Sequence, residues 1–348
     1  MRPATSANLS RLASTSNGGW LMVRDGRRVV GIGVVVVALL GTAAACGGGD
    51  GATGVPTASA GTIAPAPLPR PAPTPTGVAP EAYQQVLTGV DAALTPDLAA
   101  VSGAQTPTDL AGALRTAETD LTTQRTTLAG TDPPVPARAA HGQLVAALVA
   151  LGADLDSLRA DADRQVVCTG SSGGRRASAG NGAHLTRLAV AALAAADPAH
   201  PYRVGAFLPT GEPDQTRRPD NGSVGPGRRG GYGKVTVEAP PSQDAVVKLT
   251  EGGARVRNIF VRAGSSTTVD GLPDGHFDVF YTLGEDWDTD AARFTRRCSF
   301  NKFDSGVDFS TRHLSTSIEY TTYQLTLFDV AGGNATSVPV PVADFPGS

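Results

Sequence analysis

The sequence predicts an α+β protein whose two kinds of structure form separate domains. An N-terminal antiparallel helical bundle and a C-terminal antiparallel β-sandwich are joined by disordered linkers. Three observations predict this. Between residues 80 and 168 apolar side chains recur every three to four positions, the period of a helix face. Fourteen of the eighteen aromatic residues lie beyond Gly231, among short β-branched runs of strand character. Glycine and proline supply 42 and 26 of the 348 residues, more than one compact domain uses, which points to long linkers.

Residues 1–46 read as a targeting segment. Arg24, Arg27 and Arg28 precede an apolar run from Val29 to Leu40, followed by small residues and Cys46. Charged, apolar and small-residue zones in that order make a secretory signal. The run is shorter than the roughly 17–25 residues of a membrane-spanning helix. Met22 opens a signal of ordinary length and is a possible true start. Ala43-Ala44-Ala45-Cys46 resembles a bacterial lipobox, with Ala43 where leucine is usual. The resemblance implies a diacylglyceryl (palmitate-type) anchor on Cys46, and hence an extracytoplasmic, membrane-attached lipoprotein. The alternative is an ordinary secretory signal cut near the same alanines. Few lysines and two methionines add an actinobacterial-type composition.

Residues 47–79 are rich in Pro, Gly, Ala and Thr and read as a tether. Its proline-rich half favours an extended, semi-rigid polyproline conformation.

Residues 80–168 read as three helices. Tyr83, Leu87, Val90, Leu94 and Leu98 share one face, and Pro96 is expected to end or kink that helix near Leu94. Thr106-Pro107-Thr108-Asp109 is a helix start, with Thr106 as cap and Pro107 in the first turn. Leu110, Leu114, Ala117, Leu121 and Leu128 follow it. After the break at Asp132-Pro133-Pro134, a third stripe runs from His141 through Leu144, Leu148, Leu151, Leu155 and Leu158 to Ala162. Short breaks between such helices imply antiparallel packing.

Residues 169–233 read as a linker with a short helix over 183–196 and a locally ordered, strand-like stretch from Tyr202 to Leu208. Gly170-Ser171-Ser172-Gly173-Gly174 matches Gly-x-Ser-x-Gly, yet a helix precedes it where a nucleophile elbow needs a strand. A flexible loop is therefore expected. The linker is basic, with eight arginines against four acids, whereas 80–168 and 234–348 are both acidic. Its arginines either stay solvated or touch the acidic domains or anionic envelope polymers. Acidic folded parts do not support nucleic-acid binding.

Residues 234–348 read as the sandwich. Strands are expected at 235–237, 245–249, 259–261, 277–281 and 322–327, with turns at Glu251-Gly252-Gly253 and Pro273-Asp274-Gly275. The stretch from Ser266 to Val279 resembles the strand, Leu-Pro-x-Gly turn and aromatic strand of transthyretin-like and carboxypeptidase-regulatory-like sandwiches. That resemblance implies a hairpin in a rigid spacer or binding module.

No catalytic set, cofactor motif or metal-ligand spacing is present. Asp286-Trp287-Asp288-Thr289-Asp290 begins a calcium-loop pattern, but Ala291 and Arg297 stand where it needs glycine and glutamate. Asp286, Trp287 and Asp288 remain candidate binding residues; Trp287 either seals an edge of the sandwich or anchors a ligand. Acylation of Cys46 would leave Cys168 and Cys298 as an even pair in an oxidising compartment, so a disulfide between them is expected. The rival is two buried free thiols. The function these features point to is a non-catalytic binding or interaction module of the cell envelope, contacting the membrane through its lipid and a wall polymer or envelope proteins through its domains. The alternatives are an exported envelope-acting hydrolase and a structural subunit of an envelope complex.

Overall fold

The computed structural model describes residues 6–9, 77–209, 213–223, 225, 227–328 and 335–347. Cys46, the apolar run before it and nearly all of the expected tether lie outside the described residues. Among the described residues five α-helices fill the N-terminal part: α1 (Pro80–Gly103), α2 (Pro107–Ala129), α3 (Arg138–Asp163), α4 (Gly170–Ala179) and α5 (Asn181–Ala196). β-sheets fill the C-terminal part, so the chain is α+β.

The helical core is the stripe read from the sequence. Tyr83, Leu87, Val90 and Leu94 of α1 are buried with Leu110, Leu114 and Leu121 of α2 and Leu144, Leu148 and Leu151 of α3. Thr106 caps α2 as expected, its Oγ1 accepting from the Asp109 N–H at 3.1 Å. Pro96 does not end α1, which continues to Gly103. Leu94, Leu98 and Val101 are buried on both sides of Pro96, and this packing offsets the lost hydrogen bond. His141 is buried with its Nδ1 2.9 Å from the Tyr83 hydroxyl. Desolvation lowers its pKa, against smaller raising effects from Leu128 and Asp132.

Two expectations for 169–208 are corrected. Residues 170–179 are not a loop but α4, and the glycines serve close packing. A Cβ on Gly170 would stand 2.4 Å from the Ser102 carbonyl oxygen, and one on Gly173 2.8 Å from Leu110 Cδ1. Ser172 is fully buried inside α4, far from the exposed strand-to-helix turn that a nucleophile needs. Tyr202–Phe207 is no strand; it caps the helical core, with the Tyr202 ring edge-on to Tyr83 at 5.0 Å.

Among the described residues the strands are β1 (Ser6–Leu9), β2 (Gly233–Glu238), β3 (Asp244–Glu251), β4 (Ala254–Val261), β5 (Ser266–Leu272), β6 (Gly275–Asp288), β7 (Arg293–Phe303), β8 (Val307–Phe309), β9 (Thr311–His313), β10 (Ile318–Tyr320), β11 (Thr322–Thr326) and β12 (Ser337–Pro339). One sheet has the order β1-β11-β2-β5 and a second β12-β7-β6-β3-β4, with β8 also on β6; β9 and β10 form a hairpin. The four-stranded sheet is mixed rather than purely antiparallel. β11 runs parallel to both β1 and β2, and β2 is antiparallel to β5. Pro273-Asp274-Gly275 is a turn as expected, but β5 and β6 belong to different sheets. The stretch that resembled a hairpin is thus a bend from sheet to sheet, with Gly271 and Gly275 at φ +74° and +147°.

Val235, Val237 and Leu325 of one sheet share a core with Val247, Leu249, Val279 and Tyr281 of the other. β3 is buried along nearly its whole length. Its alternate residues Val246 and Lys248 face a second cluster on the outer side, with Phe260, Trp287, Phe294, Phe300 and Phe345.

Candidate functional site

The chemistry-bearing residues converge where the helical part meets the outer face of the six-stranded sheet. Leaving α3, the chain pairs with β7. The Cys168 N–H donates to Thr295 O at 2.9 Å, Arg297 N–H to Val166 O at 3.0 Å and Cys298 N–H to Gln165 O at 3.1 Å. Gln165 and Arg297 reach this crossing with φ of 59° and 50°, the left-handed region that side chains disfavour. Cys168 and Cys298 lie at disulfide distance, with Cα atoms 6.2 Å apart. The expected pair is brought together, and it ties the two parts of the chain to each other.

Asp286, Trp287 and Asp288 are placed together but are not free. Asp286 is buried at the end of β6 and accepts from the Arg217 N–H, Nε and Nη2, each at 2.9 Å, and from Thr295 Oγ1 at 2.6 Å. Asp288 Oδ2 takes Arg217 Nη1 at 2.8 Å. Burial acts to raise both acids' pKa values. For Asp286 the hydrogen bonds from Arg217 and Thr295 outweigh it, and for Asp288 those from the Ala291 N–H and Arg217 do; both end below the usual carboxylate range. The Asp288 Oδ1 also caps the following turn, accepting from the Asp290 and Ala291 N–H groups. Trp287 is 7% exposed, its ring 4.9 Å from Phe294 and 6.3 Å from Phe260. Arg217 satisfies both acids and Phe260 and Phe294 cover the indole, so the three residues form an internal anchorage rather than an open binding surface.

What they anchor is the segment expected as a solvated linker. Arg218 pairs with buried Asp244, Nε to Oδ2 at 2.8 Å. Asp214 takes both Arg175 of α4, at 2.5 Å, and Arg296 of β7, at 3.3 Å. Further along, Gly222 and Ser223 exchange backbone hydrogen bonds with Phe260, and the Gly225 N–H donates to Asn258 O. Residues 214–223 therefore form a strap along β4, and its arginines touch the acidic domain. A 230 Å³ cleft lies beside the strap, lined by Arg218, Gln243, Asp244, Glu285 and Arg296. Among the described residues no group of three His, Cys, Asp or Glu is placed to hold a metal.

Two features were missed in the sequence. Lys248 is 1% exposed at the centre of β3. Its signal was a lone lysine in the run Ala-Val-Val-Lys-Leu. The other is an exposed aromatic patch at the β9–β10 hairpin. Tyr232 is 46% exposed, near-parallel to Tyr320 at 6.3 Å and edge-on to His313 at 6.0 Å. Lys234 Nζ lies 5.6 Å from the Tyr320 centroid, and Leu314 and Ile318 are exposed on the same hairpin. No sequence period marks this patch, because it joins residues some ninety positions apart.

No protein-family model, curated protein or solved structure matches the chain.

Proposed function

We propose that the chain is exported, processed before Cys46 and held on the outer face of a membrane by a lipid on that cysteine. There it acts as a non-catalytic binding or interaction module of the cell envelope. The observation that carries this reading is the cysteine count. Three cysteines are present, and Cys168 and Cys298 lie at disulfide distance, which leaves Cys46 for acylation. A structural disulfide belongs to an oxidising compartment. The helical part is read as an antiparallel bundle, on the grounds that α1–α2 and α2–α3 pack side by side around one core. The two sheets are read as a sandwich, on the grounds that both feed one apolar cluster.

The interaction role draws support from the patch of Tyr232, Tyr320, His313, Leu314 and Ile318, since tyrosines clustered at a surface are enriched at protein contacts. A wall polymer or an envelope protein is the expected partner. Metabolic labelling with a clickable fatty acid tests the anchor: wild type takes up label and Cys46→Ala does not. Equal labelling of the two ends the anchor reading. Crosslinking in intact cells tests the module: Tyr232→Ser/Tyr320→Ser should lose partners that wild type captures.

A further inference from the structure

The last described residues are held to the sheet as a bound peptide would be. β12 adds antiparallel to the edge of β7, with Ser337 opposite Phe303 and Pro339 opposite Asn301. The pairing continues through the Val340 N–H, which donates to Phe300 O at 2.9 Å. The chain then crosses the outer face of the sheet. Phe345 is buried edge-to-face against Phe300 at 5.2 Å and Phe280 at 6.0 Å. Lys248 Nζ stands 4.6 Å from the Phe345 ring centroid and donates to the carbonyls of Pro346 at 2.6 Å and Gly347 at 3.3 Å. Strand addition with a side-chain pocket, and a cation over an aromatic ring, are recognised ways of holding a peptide.

This seat holds more chemistry than packing alone requires. Among the described residues the Lys248 ammonium donates to two backbone carbonyls. A buried ammonium is costly to desolvate, and an apolar side chain of similar volume would hold Phe345 as well. Beside it Thr282 is 2% exposed with its hydroxyl unpartnered. Thr282, Lys248, Arg293 and Phe345 line one small cavity. Arg293 and Val342 also line a 620 Å³ surface groove next to it.

We propose that this face of the six-stranded sheet is a peptide-binding site. It takes an extended segment with an aromatic residue followed by a Pro-Gly carbonyl pair. Residues 337–347 occupy it within the chain, and the same segment of a second copy occupies it on association. The second copy is favoured because its segment offers every contact just described, so exchange requires no new interface. Intramolecular docking competes at an effective concentration of about 1 mM, so exchange shows at high protein concentration or on a crowded membrane.

The test uses the full chain. Two copies of different mass are mixed, one carrying p-benzoylphenylalanine at position 345, and illuminated at concentrations from about 10 µM to 1 mM. Crosslinks from the labelled copy onto 244–251 or 275–288 of the other are expected to rise with concentration. A synthetic peptide of residues 335–347 should suppress them severalfold, and its Phe345→Ala form should not. Sedimentation velocity of the unmodified chain over the same range guards against damage by the photoprobe. A dimer fraction that grows with concentration and vanishes in Phe345→Ala is expected. Crosslinks confined to single chains, or wild type and Phe345→Ala that sediment alike as monomers, overturn the proposal.

Discussion

The helical part and the sheet part bury different things. Apart from Tyr83, His141 and the capping Tyr202 and Phe207, the helical core is leucine, alanine and valine on repeating stripes. The sheet part has an apolar inner core too, but its outer face buries Asp244, Lys248 and Asp286. The helices satisfy all but their terminal backbone groups locally and need only caps and an apolar face. The outer face of the sheet is closed by pieces from elsewhere in the chain: the crossing at 165–168, the strap at 214–223 and the segment at 340–347. One part is built from period, the other from attachments, and attachments are where a single change should tell the two parts apart.

The largest difference should come from the disulfide. Cys168 and Cys298 are 130 residues apart. By loop-closure entropy such a bond is worth up to about 5 kcal/mol. Cys168→Ser/Cys298→Ser is therefore expected to lower the melting temperature strongly and to split one calorimetric transition into two, because the backbone pairing with β7 then stands alone. A single transition at nearly the wild-type temperature would show that packing, not the staple, joins the parts.

Next come the helices themselves. A Cβ on Gly182 would lie 2.2 Å from the backbone N of Leu151, and backbone cannot give way as a side chain does. Gly182→Ala should cost about 1–3 kcal/mol by overpacking, read as a lower denaturant midpoint. Gly89, where nothing lies within 4 Å of the added atom, is the control. Gly89→Ala should be neutral or stabilising by up to about 1 kcal/mol.

These contrasts mark what the sequence made legible. The three long helices and the Thr106 cap were readable because a buried face leaves a local period and a cap is a local motif. The cysteine pair was readable by counting. Helix α4 was not: its glycines look like flexibility, and only the closeness of Ser102 and Leu110 shows that they make room. The parallel pairing of β2 with β11 joins residues 234–238 and 322–326, so no local signal encodes it. Asp286 and Asp288 stand out in the sequence only as an acidic run, because their partner Arg217 lies some seventy positions away in a segment whose composition reads as linker. Lys248 was passed over because one lysine in a strand ordinarily faces water.

Arg217→Ala probes the strap. It removes the partner of a fully buried carboxylate. Breaking a buried pair costs about 3–5 kcal/mol, and the partial exposure of Arg217 brings the expectation down to about 1–3 kcal/mol. Limited proteolysis should then cut first within 213–223 while 80–196 stays intact. The pH dependence follows from the lowered pKa of Asp286. Its folded value lies below the unfolded one, so the unfolded chain binds more protons between the two. The stability this acid contributes is complete above about pH 5 and is lost as pH falls through the folded value. The acid limb of the wild-type stability curve should be shallower in Arg217→Ala.

A small effect, stabilising rather than destabilising, is expected at Lys248. Burial first, then the nearby charges of Arg255 and Arg293, push its pKa down to about 8. Unfolded, a lysine titrates near 10.4. Between those values the unfolded chain holds the proton that the folded chain has given up, so folding stability should rise with pH from about 8 to about 10.5 and stay level below. The ammonium is thus a cost to the fold at neutral pH, only partly offset by the carbonyls of Pro346 and Gly347. Lys248→Met keeps the volume and the contact with Phe345 while removing the charge. At pH 7 it should raise stability by about 1 kcal/mol, the scale found when buried charges are replaced by apolar side chains. It should also flatten the alkaline rise, read from denaturant midpoints at pH 7, 8, 9 and 10. A helical site cannot show this behaviour, since the helical core buries no lysine. If Lys248→Met is instead destabilising at every pH, the two carbonyl bonds outweigh the desolvation. The outer face of the sheet would then be a core like the helical one, and the contrast between the two parts would rest on the disulfide and the strap alone.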